Sequence, residues 1–145
     1  MSKPLSCAIV IDTSVDSVYK TLLEQQLLYF QHFNPKIKAL HTGVKISRDF
    51  YTKLNGKAVK GTTTVKEMEE NTRFVMVSAY GASQIIQSFT LQDEGGKCRI
   101  SYSEENIFEK KNMEASYGIT SWFYTWSFNR QTKKRLRQLG GLACQ

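Results

Sequence analysis

A chain of 145 residues, 41% hydrophobic and 23% charged, has the length and balance of one globular domain with its own core, and no linker-like stretch divides it. Twenty Lys and Arg against thirteen Asp and Glu give a net charge of +7, but Lys53, Lys57, Lys60 and Lys66 are scattered, and only Lys133, Lys134, Arg135 and Arg137 form a tight group. That group lies near an expected helix end, where the helix dipole and solvation favour cations unaided, so a nucleic-acid partner is not expected, and no apolar run reaches the roughly twenty residues of a membrane span.

Leu5 to Ile11 is an apolar run rich in branched residues and predicts a strand; it is too short for the apolar region of a secretory signal. Asp12-Thr13-Ser14 then offers helix-capping side chains, and Val15, Val18, Tyr19 and Leu22 recur at helical spacing, which predicts a helix from Ser14 to about Glu24. Leu27, Leu28, Phe30 and Phe33 extend the apolar character into a second short helix or turn, stopped at Asn34-Pro35. No period dominates residues 36 to 55, where we expect a turn and then a strand from about Gly43 to Tyr51, closed by the Asn55-Gly56 turn signal.

From there the period is two. Val59, Gly61, Thr63 and Val65 share one face, and after Glu69-Glu70-Asn71 turns the chain, Phe74, Met76, Ser78 and Tyr80 share the next. Gly81 and Ala82 interrupt before Ile85, Gln87, Phe89 and Leu91. After the turn Asp93-Glu94-Gly95-Gly96, the residues Cys98, Ile100, Tyr102, Glu104, Asn106 and Phe108 alternate with polar partners. Four strands joined by short polar turns make an antiparallel meander, not a set of parallel crossovers. Ile119, Trp122, Phe123 and Trp126 then mark a helical apolar face, while Leu136, Leu139 and Leu142 fall elsewhere on the wheel. The spacing therefore predicts a helix packed along its first half and wet along its second, ended by Gly140-Gly141.

The opening segment CAIVIDTSVDSVYKTLLE, with Val15, Val18 and Tyr19 spaced behind a small polar cap, resembles the start of START-like or birch-pollen-allergen-like domains. This is the polyketide cyclase and lipid-transport superfamily (SRPBCC), and within it the chain resembles a small bacterial group of unknown function. The resemblance implies an α+β helix-grip fold: a curved antiparallel sheet wrapped around a long C-terminal helix, with two short helices after the first strand. It also implies a single domain over residues 1–145 and an apolar cavity between sheet and helix. The expected partner is a small hydrophobic molecule, and a homodimer is left open.

On this reading Trp122, Phe123 and Trp126 either pack the core or wall the pocket, since a buried indole N–H wants a partner. Glu104 shares a face with Ile100 and Tyr102; it either reaches water or a basic neighbour at the strand end, anchors a ligand, or works as an acid–base group. Tyr80 and Tyr102 offer phenolic hydroxyls, and Phe30 and Phe89 complete the expected ligand-binding set. No nucleophile motif, phosphate loop or dinucleotide fingerprint occurs. Cys7, Cys98 and Cys144 are odd in number and widely spaced, and with His32 and His41 they form no metal pattern. Free thiols in a reducing cytoplasm and no metal or cofactor are the expectation. Hydrophobic ligand binding leads. A cyclase- or dehydratase-like enzyme using an inward carboxylate, or a basic interaction module, stands as the alternative.

Overall fold

Strand alternation builds one six-stranded antiparallel sheet, described here from a computed structural model that covers residues 5–51, 58–81, 83–107 and 130–144. The strands are β1 (Leu5–Ile11), β2 (Lys45–Tyr51), β3 (Ala58–Glu69), β4 (Arg73–Tyr80), β5 (Ser83–Glu94) and β6 (Lys97–Ile107). Their spatial order is β1-β6-β5-β4-β3-β2, so β2 to β6 form a continuous meander and β1 closes against β6. The expected four-strand meander is present, and the strand expected from about Gly43 to Tyr51 extends it as β2. Its tight turns have local causes. Asn71 takes a left-handed φ of 58° between β3 and β4, and Gly95 and Gly96 take φ of 61° and 92° between β5 and β6. Asn55-Gly56 and Ala82 lie outside the described residues.

Register decides which side chains share a face. Phe74 pairs with Phe89 and Phe89 with Tyr102, while Met76 pairs with Val65 and Gln87. These residues, with Leu91, Cys98, Ile100, Cys7 and Ile11, form the inner face, and most are buried. A register shift between Val65 and Glu67 marks a bulge in β3, which bends and twists the sheet there. Deeper along the same face the buried groups turn polar. Thr63 and Ser78 lie opposite one another, and their hydroxyls meet at 2.8 Å, which satisfies both out of water.

The segment after β1 forms one helix, α1 (Val15–Phe33), where the sequence predicted two short ones. The cap is as expected: Ser14 Oγ accepts from the Ser17 N–H at 3.2 Å, with Asp16 in the first turn. Between Glu24 and Leu27 there is no Gly or Pro, and Glu and Gln propagate a helix well, so nothing breaks it. Asn34 ends it, its N–H bonded to Phe30 O at 2.9 Å just before Pro35. Val18, Tyr19, Leu22 and Phe30 are buried on its sheet-facing side.

The second helix, α2, is described over residues 130–143 and corrects two expectations. Its last turns are packed: Thr132, Leu136, Leu139 and Ala143 are all buried, a stripe at i, i+4, i+7 and i+11. Lys133, Lys134 and Arg137 are exposed on the other side and form the wet face of a packed helix, while Arg135 stands at its border with the inner face. The helix also runs through Gly140 and Gly141 instead of ending there. Gly140 is a contact residue. A Cβ at that position would stand 3.1 Å from Cγ1 of Ile11, so its bare backbone lets α2 close on β1. Trp122, Phe123 and Trp126 lie outside the described residues. No helix among the described residues is long and apolar enough to cross a membrane.

The two glycines predict opposite responses. Gly140→Val overpacks against Ile11 and should lower unfolding stability by about 1–3 kcal/mol. Gly141→Ala meets nothing within 4 Å and should raise stability by about 0.5–1 kcal/mol through helix propensity. Urea unfolding of both variants beside the parent chain checks the pair.

Candidate functional site

Three elements enclose a cavity of about 590 Å³ on the inner face of the sheet. Helix α1 contributes Leu22, Gln25, Gln26 and Tyr29 from the turns past its buried start. The sheet contributes Arg48 from β2, Met76 from β4, Gln87 and Phe89 from β5, and Tyr102 from β6. Helix α2 contributes Thr132, Arg135, Leu136, Gln138, Leu139 and Leu142. The volume falls in the usual range for small-molecule sites. Among the described residues, Leu22, Met76, Phe89, Leu136 and Leu139 give apolar carbon to its wall, and amides, hydroxyls and two guanidiniums give it polar groups.

Phe89 packs on Tyr102 with ring centroids 4.8 Å apart, and on Phe74 at 6.4 Å. That stack holds the Tyr102 ring in the wall, where the residue is only 7% exposed. Its hydroxyl lies in a relay: Gln87 Nε2 donates to Tyr102 Oη at 2.8 Å, and Tyr102 donates to Glu104 Oε2 at 3.0 Å. Burial first, and the Glu104 carboxylate second, push the phenol far above its usual range, only partly offset by Gln87 and by the charge of Arg135. Tyr102 therefore keeps its proton at neutral pH and acts as a hydrogen-bonding group. Tyr80, half-buried on the same face, is raised for the same two reasons, burial and then Glu104.

Arg48 enters from the other side. It pairs in register with Gly61, shares the face of buried Ile46, and donates a hydrogen bond to Tyr29 Oη. Its guanidinium lies 5.7 Å from the Tyr29 ring centre and 5.5 Å from that of Phe33, while Tyr29 and Phe33 meet edge to face at 5.4 Å. Two rings thus hold a flat cation at the cavity wall.

Of the residues singled out in the sequence, Phe89 and Tyr102 line this cavity and Glu104 joins it through the Tyr102 hydroxyl. Tyr80 shares the face without lining the cavity, and Phe30 is fully buried in the core. Trp122, Phe123 and Trp126 fall outside the described residues. The reading missed Arg48, Tyr29, Met76 and Gln87, and it missed α2's leucines, whose i, i+3 spacing at 136 and 139 was visible but masked by the surrounding cations. His32 packs its ring on Phe33 and His41 bonds its own turn; neither lines the cavity. No metal-binding cluster occurs among the described residues. All three cysteines are free; Cys7 and Cys98 are buried and Cys144 is exposed.

Burial raises the Cys98 thiol from 9.0 to about 11. Because native Cys98 and Tyr102 retain protons that the unfolded chain releases, their contribution to stability is complete below about pH 9. It is lost as pH climbs from 9 to about 11 for Cys98, and from 10 upward for Tyr102. The urea midpoint should therefore fall between pH 8 and pH 10.5. In native protein a thiol reagent should label Cys144 quickly, and Cys98 only after unfolding.

No protein-family model matches the chain, and no curated protein sequence matches it. Solved structures do. CV1439 from Chromobacterium violaceum superposes with a TM-score of 0.56 at 16% identity, covering 97% of each chain. The birch-pollen-allergen-like protein Ara h 8.0201 superposes with a TM-score of 0.57 at 9% identity, covering 98% of this chain and 97% of its own. DynU16, from the dynemicin biosynthetic locus, gives a TM-score of 0.55 at 12% identity over 99% of this chain, which spans 46% of DynU16. At such identities the likeness is one of backbone fold alone. The backbone has the helix-grip fold, as its likeness to Ara h 8.0201 shows.

Proposed function

We propose that this chain binds a small hydrophobic molecule in the cavity between the sheet, α1 and α2. The observation that carries the reading is the cavity itself: about 590 Å³ walled by Leu22, Met76, Phe89, Leu136 and Leu139 on packed elements. Removing apolar surface from water drives such binding at roughly 25 cal/mol per Å², and a few fixed polar groups orient the ligand. Tyr102 and Gln87 supply such groups. The resemblance carried by the opening segment implies the same use of the space.

The Tyr102–Glu104 pair favours a second reading, an enzyme of the cyclase or dehydratase kind. A phenol that keeps its proton donates a hydrogen bond or a proton but does not serve as a base at neutral pH, so within that reading Glu104 would be the base. Ligand anchoring needs nothing more than the relay already present, and is the simpler use of it.

A neutral fluorophore such as N-phenyl-1-naphthylamine should brighten on binding with a micromolar Kd. Leu142 borders the cavity yet is 44% exposed, so Leu142→Trp narrows the space without removing core. It should weaken the probe about tenfold while leaving the circular dichroism unchanged. A probe that fails to bind the parent chain, or that binds the variant equally well, would remove this site. Tyr102→Phe tests the second reading: a turnover-active ligand should lose its chemistry, and a merely bound one should lose at most about tenfold in affinity.

A further inference from the structure

We infer that Gln87 selects the ligand by a hydrogen-bond donor: the molecule in the cavity carries a hydroxyl or N–H that the Gln87 carbonyl accepts, set on an otherwise apolar body. The inference rests on the cavity being a ligand site, and it names the group by which that site tells one apolar molecule from another.

Register places the amide. Gln87 lies on the inner face of β5, opposite Met76 on one side and Glu104 on the other, and Phe89, next along that face, lies opposite Tyr102. The side chain is half-buried and lines the cavity. An amide carries two N–H donors and a carbonyl oxygen, and leaving them without partners in such a place is costly. Within the described residues only one donor is used, on Tyr102.

The relay decides which end of the amide is left over. A carboxylate only accepts, so the Tyr102 hydroxyl gives its proton to Glu104, at 3.0 Å. Tyr102 Oη then acts as an acceptor toward Gln87, and the nitrogen end of the amide turns to it, at 2.8 Å. The two ends of a glutamine amide are alike in shape, and this bond tells them apart. Oε1 is consequently held as the spare end, and among the described residues no group donates to it. Nor is it sealed inside the protein. Burial and the Glu104 charge keep the Tyr102 proton in place, so the polarity of the relay holds at neutral pH. An acceptor fixed in this way beside Met76 and Phe89 favours a ligand that donates to it. It disfavours one of the same shape that leaves it unmet.

Decanol and methyl nonyl ether are equal in heavy atoms, and only the alcohol donates. Their displacement of N-phenyl-1-naphthylamine, with the probe's own affinity measured in each variant, tests the inference. The alcohol should compete at a concentration about 3–10-fold lower than the ether, the range expected for one neutral hydrogen bond. Gln87→Leu should erase that preference, because leucine has similar bulk and no acceptor. Tyr102→Phe removes one oxygen and lets the amide turn, so the preference should shrink there too; this variant gives a second reading should the leucine variant fold poorly. A loss of packing alone would weaken both competitors and leave their ratio as it was. An ether that competes as well as the alcohol in the parent chain, or a ratio unchanged by either substitution, overturns the inference and leaves the cavity reading standing. Failure of the neutral probe to bind at all overturns both.

Discussion

The inner face of a bent antiparallel sheet is the constraint on which the rest of this molecule depends. Alternation along six strands gathers Phe74, Met76, Leu91, Ile100, Cys98 and Ile11 onto one side, and that side has to be covered. Two helices do it. Helix α1 lays Val18, Tyr19, Leu22 and Phe30 across the face, and α2 brings Leu136, Leu139 and Ala143 from the other end of the chain. At Gly140 the helix backbone comes close enough to Ile11 that even a methyl group would press on it. Among the described residues, the cavity lies where these two helices and the sheet meet.

The wall of that cavity is divided in the same way as the face beneath it. Its apolar part continues the core. Its polar part begins where Gln87, Tyr102 and Glu104 bond in series, beyond which Thr63 and Ser78 pair out of water. Buried polar groups are costly unless satisfied, and these are held in relays of fixed geometry. A ligand that meets them finds donors and acceptors already oriented, and so pays little to order them.

Sequence reasoning read the sheet well and the helices less well, for a physical reason. Strand alternation is a property of a few neighbouring residues, so the faces carrying Phe89, Tyr102 and Glu104 followed from period two alone. A helix boundary depends on what the helix packs against. Glu24, Gln25 and Gln26 looked like a break in the apolar pattern because they are polar; in the structure α1 continues through them, and Gln25 and Gln26 border a cavity instead of core. The cations from Lys133 to Arg137 looked like the end of packing, while Leu136 among them is 2% exposed. Gly140 looked like a helix stop and is a point of close approach.

The chain by itself determined the α+β class, the meander, the turns at Asn71 and Gly95-Gly96, the capped start of α1 and its stop at Asn34-Pro35, because each rests on local conformational preference and short-range periodicity. It also determined that Tyr102 and Glu104 share one face of a strand, without saying whether that face is the inner one. Only the tertiary structure decided which face is concave, that α2 packs along its last turns, and that Arg48 and Arg135, 87 positions apart in the chain, border one space. Such pairings arise from sheet curvature and helix placement, which are set by the summed burial of many distant side chains, and no short window of sequence encodes them.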